Sequence, residues 1–241
     1  MSSERISFLS RFMAVFRYTE CGANRRIRNQ DMKRTVDLVV SVVLLLILTP
    51  VIALAALVMM IVLRGAPGFS QIRIGRCGKP FKLWKIRTLA SDTDPSLDST
   101  EVNLLRIHPL ARLLRISHID ELPQLAQVLT GRMSLVGPRP HIPHLRDQIP
   151  AVYQLERERL RPGMTGIWQL SRFRPDDILD GAVCDRAYFL VQSFAVDIRL
   201  LTLTLVTGFG IRQLNVETIL GRRRFASPRL DSIRSQLCSK D

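Results

Sequence analysis

From Leu38 to Leu63 the chain reads LVVSVVLLLILTPVIALAALVMMIVL, 26 residues without a charge. A helix crossing the hydrocarbon core of a bilayer needs about 20 apolar residues, so this segment is long enough to enter a membrane. It does not read as a secretory signal. The run is too long for such an apolar region, and its small-residue triplet Ala53-Leu54-Ala55 lies inside it instead of after it. Thr49-Pro50 sits near the middle. Proline lacks a backbone donor and clashes with the preceding turn, so a kink is expected there, and a threonine hydroxyl can satisfy a freed carbonyl. Both flanks are basic, with Lys33 and Arg34 before the run and Arg64, Arg73 and Arg76 after it. Positive flanks prefer the cytoplasmic side. A helix that enters, bends at Pro50 and returns satisfies both ends. A kinked single-pass anchor is the alternative that the residues alone leave open.

The chain carries 35 lysines and arginines against 21 acids, a formal charge of +14. Arginine grips carboxylate and phosphate through a planar fork, so this excess points to phosphate-bearing partners: nucleotides, nucleic acid or anionic lipid headgroups. Solubility alone is the plainer reading of the charge. Four cysteines, Cys21, Cys77, Cys184 and Cys238, lie far apart without a C-x-x-C pair. That argues against a zinc site and a disulfide scaffold and suits a reducing, cytosolic environment. Residues 1–30 hold six arginines around ISFLSRFMAVF. They read equally as an interfacial amphipathic helix on anionic lipid or as a disordered leader.

Downstream, SQIRIGRCGKPFKLWKIRT has two short extended runs around a turn bracketed by Gly75 and Gly78, the pattern of a β-hairpin. At period two, Gln71 shares a face with Arg73 and Lys85 with Arg87. A solvated hairpin surface is the simplest use of these four. ASDTDPSLDSTE is a polar loop. Helices are predicted from about Leu104 to Arg115, from Asp120 to about Leu129, over 151–161, and through most of Asp185 to Thr207. In the second of these Asp120 is read as the N-cap, with Glu121 and Pro123 in the first turn and Gly131 as the stop. SLVGPRP is a rigid connector, and the segment from Arg212, with GRRRF, is read as a loosely ordered basic tail. Only the hairpin suggests strands. The expected class is therefore α-rich α+β: a membrane-embedded helix plus a helical domain with a small β-hairpin.

The chemistry concentrates in ISHIDELPQLAQVLTGRMSLVGPRP, where Asp120 and Glu121 stand side by side among Arg112, Arg115, Arg132 and Arg139. Acids at a helix start often do no more than cap it and complement its dipole. Here the arginines shift the reading. An aspartate at a helix N-terminus near guanidinium groups is expected to have a lowered pKa and stay ionised. Such a carboxylate can attack phosphorus. A second carboxylate beside it can hold Mg²⁺, which takes oxygen ligands from side chains and substrate phosphates. Arginines can neutralise the charge on a transferring phosphoryl group. Together with the apolar segment, the pair suggests covalent phosphoryl transfer from a pyrophosphate to a lipid-borne acceptor.

Five ordered blocks carry a resemblance: KRTVDL, RIGRCGKPFKLWKIRT, LLRISHIDELPQLAQVLTGRMSLVGPRP, RPGMTGIWQL and DRAYFLVQSFAVDIRLLTLT. Over about residues 33–210 the chain resembles the bacterial sugar transferase family, the monotopic phosphoglycosyl transferases that prime polysaccharide synthesis. The resemblance implies that Asp120 attacks the sugar-proximal phosphate of a UDP-sugar, releasing UMP and leaving a phosphosugar on its carboxylate. Polyprenyl (undecaprenyl) phosphate then takes the phosphosugar, the first membrane step of exopolysaccharide, O-antigen or capsule synthesis. It implies Glu121 as the Mg²⁺ ligand, with Arg115, Arg139 and Arg161 around the phosphates and Lys85 and Arg87 as further candidates. It also implies a re-entrant helix at the bacterial inner membrane, with the catalytic domain facing the cytoplasm. The organisation expected is a basic leader (1–32), a re-entrant helix broken at Thr49-Pro50 (33–64), a catalytic domain (65–211) and a basic tail (212–241). Partners would be the UDP-sugar, polyprenyl phosphate and membrane lipid, not nucleic acid, with a homo-oligomer left open.

RIHPLARLLR and LSRFRPDD depart from the family's usual pattern, so the sugar stays open, with hexose phosphates slightly preferred. His108, His118, His141 and His144 show no tight ligand spacing; His141 and His144 are read as surface residues, and Trp168 as core packing before base stacking. Two other readings compete: a membrane-tethered nucleic-acid binder, from the charge and GRRRF, and a scaffold protein without catalysis. Neither explains the Asp-Glu pair.

Overall fold

The computed structural model describes residues 27–90, 93, 107–171, 178–207 and 214–238. The leader through residue 26, most of the acidic loop, and most of LSRFRPDD lie outside the described residues.

One helix, α1 (Ile27–Leu63), carries the whole apolar segment with Pro50 inside it. Among the described residues it is the one helix long and apolar enough to cross a membrane, and it is mostly uncovered by protein. The helix continues through Thr49-Pro50, where a break was expected. Thr49 Oγ1 donates to Leu45 O (2.5 Å), not to the carbonyl four residues before the proline.

Both halves of α1 lie on the same body. Leu44, Leu45 and Leu48 pack on the main core, which includes Leu125, Val128, Met133 and Leu200. Ala55 and Met59 form a second cluster with Ile86 and Ala111. Polar anchors fasten the first half. Arg34 donates to Val128 O (2.6 Å) and Leu129 O (2.8 Å), and Asp37 accepts from Ser134 Oγ (2.7 Å) and Leu135 N (3.1 Å).

The hairpin is as expected: β1 (Gly68–Ile74) pairs antiparallel with β2 (Pro80–Ile86), from Gly68 opposite Ile86 to Ile74 opposite Pro80. Its turn uses left-handed backbone at Cys77 (φ 60°) and Gly78 (φ 69°). A second sheet was not foreseen: β3 (Ser134–Val136) runs parallel to β4 (Gly163–Thr165). Three-residue strands leave almost no periodic signal. What permits this pairing is the lack of side chains at its end. A Cβ on Gly163 would stand 2.0 Å from Gly137 N.

The remaining elements are helical: α2 (Pro109–Ile116), a 3₁₀ segment (Ile119–Gln124), α3 (Leu125–Leu129), α4 (Pro143–Arg146), α5 (Ala151–Glu158), α6 (Ile167–Leu170), α7 (Ile178–Val191) and α8 (Phe194–Thr207). The helix expected through Asp185 to Thr207 is thus two, separated at Gln192-Ser193. The supposed loose tail also differs. Helices α9 (Val216–Leu220), α10 (Arg222–Phe225) and α11 (Asp231–Cys238) send Ile219, Leu220, Phe225, Ile233 and Leu237 into the main core. The arginines of GRRRF masked an apolar stripe that must be buried. Trp168 is a core residue as expected. Cys77 is disulfide-bonded, although the cysteine spacing argued against a disulfide scaffold, whereas Cys184 is free and buried. Pairing follows proximity in space, which sequence spacing does not report.

Candidate active site

The carboxylate pair is placed by a short, distorted piece of helix. His118 takes a left-handed backbone (φ 55°) and starts the 3₁₀ segment with no side-chain cap. Asp120 and Glu121 fall in its first turn, and Pro123 and Gln124 close it before α3. Asp120 is therefore not the helix cap that its position suggested. It is buried, at 5% exposure, in the 3₁₀ segment that packs on β2.

Gln127 of α3 locks that hairpin in place. Its Oε1 accepts from Trp84 N (3.1 Å) and its Nε2 donates to Lys82 O, so the side-chain amide pairs with the free edge of β2 like a short strand. This registers Lys85 over the pair. Lys85 Nζ donates to Glu121 Oε1 at 2.6 Å, and Arg139 Nη2 stands 3.7 Å from the same oxygen. A cleft opens here, lined by Arg73, Lys85, Glu121, Gln124 and Arg139 with Gly163 and Met164.

The two acids titrate apart. Burial works against the charge on Glu121, but Lys85 and Arg139 outweigh it and hold its carboxyl well below the usual range. Asp120 goes the other way. Burial pushes its pKa up to about 6, opposed by Lys85, reinforced by the Glu121 charge, and opposed by Arg115 and Arg139. The expectation of a lowered Asp120 pKa is thus corrected. The nearest cations are committed to Glu121, and Asp120 is left with the desolvation. At neutral pH Asp120 is still mainly ionised, and a carboxylate with a raised pKa is the more reactive nucleophile of the two.

Of the residues singled out in the sequence, Asp120, Glu121, Lys85 and Arg139 are brought together, and Arg115 acts on Asp120 through its charge. Two are elsewhere. Arg87 reaches back to Gly68 O (3.4 Å) at the open end of the hairpin. Arg161 donates to Gly131 O (3.1 Å) and lines a different cleft with Lys33, Arg76 and Arg159.

Two residues were missed as site candidates. Arg73 is paired to Pro140 O (3.1 Å) and Gln71 Oε1 (2.5 Å), and burial, then Arg139, lower its pKa to about 10 against the pull of Glu121. Gln124 is buried with its Nε2 lacking a hydrogen-bond partner. The hairpin alternation contained the signal for Arg73: opposite Phe81, it shares a face with Leu83 and Lys85. His141 is not a surface residue. It is 4% exposed and stacks on Trp168 with centroids 5.6 Å apart and planes 6° from parallel.

Among the described residues no group of three or more His, Cys, Asp or Glu side chains converges. An all-protein cage is therefore not built from them. One or two carboxylates beside a basic cleft do fit Mg²⁺, which usually keeps waters and shares substrate phosphates.

A model of the bacterial sugar transferase family matches residues 28–210. The chain belongs to the bacterial sugar transferase family. It is 33% identical over 190 residues to the UDP-glucose:undecaprenyl-phosphate glucose-1-phosphate transferase of Klebsiella pneumoniae, covering 75% of this chain and 41% of that protein. It is 37% identical over 196 residues to the undecaprenyl-phosphate glucose phosphotransferase of Komagataeibacter xylinus, covering 75% of this chain and 37% of that one. With the uncharacterized sugar transferase EpsL of Bacillus subtilis the match is 34% over 189 residues, 76% of this chain and 92% of the relative. The chain thus spans about two fifths of the length of the first two relatives.

Proposed function

We propose that this chain is a membrane-bound phosphoglycosyl transferase that moves a sugar-1-phosphate from a UDP-sugar to polyprenyl phosphate through Asp120. The observation that carries the reading is the division of labour in the pair: a buried, reactive Asp120 beside a Glu121 neutralised by Lys85 and Arg139, at a cleft rich in guanidinium groups. In the first step a carboxylate oxygen of Asp120 attacks the sugar-proximal phosphorus. The bond from that phosphorus to the bridging oxygen breaks, and the bridging oxygen leaves with UMP. In the second step an oxygen of polyprenyl phosphate attacks the same phosphorus and the Asp120 carboxylate is released. Arg139, Arg115 and Lys85 neutralise the charge on the transferring group. Arg73 and Gln124 line the same cleft and would bind the donor diphosphate. Glu121 would hold Mg²⁺, which supplies further charge neutralisation on the diphosphate. The names of the Klebsiella and Komagataeibacter relatives make UDP-glucose the first donor to try.

The same reading takes α1, which continues through Pro50, as a re-entrant helix in the bacterial inner membrane with the catalytic domain on the cytoplasmic side. Its support is the contact pattern. Lys33, Arg34 and Asp37 anchor one half to the globular body and Ala55 and Met59 pack the other half on it. A straight crossing would carry one of these sets to the far side of the bilayer. No specific observation favours a nucleic-acid binder or a scaffold without catalysis.

The deciding experiment is product analysis with UDP-glucose and polyprenyl phosphate. UMP release that is lost in Asp120→Asn supports the reading; UDP release, or full turnover by that variant, contradicts it.

A further inference from the structure

A second basic cleft shares no residue with the first. It is lined by Lys33, Arg76, Arg159 and Arg161, with Ser134, Tyr188 and Gln192 among its other walls, and has an open volume of about 380 Å³. The neighbouring acids are already committed. Asp197 takes Lys33 Nζ (2.7 Å) and the Tyr188 hydroxyl (2.5 Å), and Asp37 takes Ser134 and the Leu135 amide. Lys33 also donates to Val136 O (2.9 Å) and Tyr188 Oη (3.1 Å), so its three protons are used. Arg76 and Arg161 are not neutralised in the same way. Arg76 Nε is buried without a partner. Arg161 spends its Nε on Gly131 O, which leaves its terminal nitrogens for another acceptor. Its pKa is lowered by burial first and then by Arg76 and Arg34, with Asp37 the one acid that opposes them. Half-buried like charges are costly unless an anion joins them.

The cleft's height along α1 is informative. Lys33 lies five residues before Leu38, where the uncharged run starts, about 7.5 Å along the helix. Beyond it the outward residues Val39, Val42 and Val43 are exposed and apolar. With α1 inserted as proposed above, the cleft lies at the level where a bilayer changes from hydrocarbon to headgroups.

We propose that this cleft is a second anion site, binding a phosphate-bearing group through Arg76, Arg159 and Arg161, with the headgroup phosphate of an anionic membrane lipid as the source its height favours. Three guanidinium groups match the oxygens of a phosphate diester, and the apolar side of α1 would receive the acyl chains. The site would seat α1 at a fixed depth relative to the globular body.

The test uses the full chain. Thermal midpoints are read in nanodiscs of phosphatidylcholine, in nanodiscs containing phosphatidylglycerol, and in detergent with and without inorganic phosphate. Wild type is compared with R76Q/R159Q, with R76K/R159K, and with R139Q as a control for the Asp120 cleft. Phosphatidylglycerol is expected to raise the midpoint of wild type and R139Q equally. The rise should fall by at least half in R76Q/R159Q and persist in R76K/R159K. The same pattern with inorganic phosphate would identify a free anion as the source; its absence there identifies the lipid. An equal rise in wild type and R76Q/R159Q overturns the proposal, as does a rise lost in R139Q alone. Should the glutamine variant not fold, native mass spectrometry of wild type decides, since equal retention of phosphatidylglycerol and phosphatidylcholine also overturns it. None of these readouts depends on turnover, so their failure leaves the phosphoryl-transfer reading standing.

Discussion

Lys85 Nζ lies 2.6 Å from Glu121 Oε1 and reaches it from the hairpin, 36 residues away in the chain. This contact sets the charge of the site, because Lys85 is the largest cation acting on both Asp120 and Glu121. Removing it as Lys85→Met should slow turnover about 100-fold, the usual size for loss of one charged donor. It should also move the acidic limb of the pH–rate profile to higher pH, since Asp120 loses its main stabilising charge. An unmoved limb would mean that Lys85 acts only in the fold.

The pH dependence itself follows from Asp120. Its pKa is raised to about 6, and only the ionised carboxylate attacks phosphorus. Turnover under saturating donor should therefore fall as pH drops through about 6. A rate that is flat down to pH 5 would exclude Asp120 as the titrating nucleophile.

The same group makes a stability prediction. A carboxyl with a raised folded pKa binds its proton more tightly in the folded than in the unfolded state. Between 3.8 and about 6, stability therefore decreases as pH rises, and the full cost is present above that window. Asp120→Asn removes the buried charge. It should raise the unfolding free energy above pH 6 by up to about 3 kcal/mol, seen as a higher thermal midpoint, with the gain vanishing near pH 4. The expected outcome is an inactive but more stable protein, measured by calorimetry across pH.

Gly163→Ala tests the unforeseen parallel sheet. The added carbon would meet Gly137 N at 2.0 Å, a backbone atom that no side-chain rotation relieves. A loss of about 3 kcal/mol is expected in chemical denaturation, the upper range for overpacking. A near-neutral result would show that the loops part easily.

The topology of α1 is open to labelling. Single cysteines at Met32 and Gly65 should react with a membrane-impermeant reagent from the same side of sealed vesicles. Labelling from opposite sides would establish a crossing helix.

How much of this was legible in the sequence depended on how local each cause is. The apolar run, the hairpin and the Asp-Glu pair rest on neighbours in sequence and were readable. The β3–β4 pairing joins 134–136 to 163–165 and depends on two glycines passing at backbone contact, which no periodicity records. The tail misled for a related reason: its arginines dominate the composition, while Ile219, Ile233 and Leu237 need the core before their burial makes sense. Within the site, the adjacency of the two acids and the arginines around them were legible but the direction of the Asp120 pKa shift was not. Its sign is set by burial, which Lys85 and Arg139 do not overcome because both turn to Glu121, and the position of Lys85 is fixed by the three-dimensional register of the hairpin on α3.

The most direct test is the intact-protein mass after mixing the chain with UDP-glucose and related UDP-sugars in Mg²⁺, without polyprenyl phosphate. The account predicts a gain equal to one sugar phosphate, absent in Asp120→Asn and discharged when polyprenyl phosphate is added. Product formation from a chain that never gains that mass would contradict it.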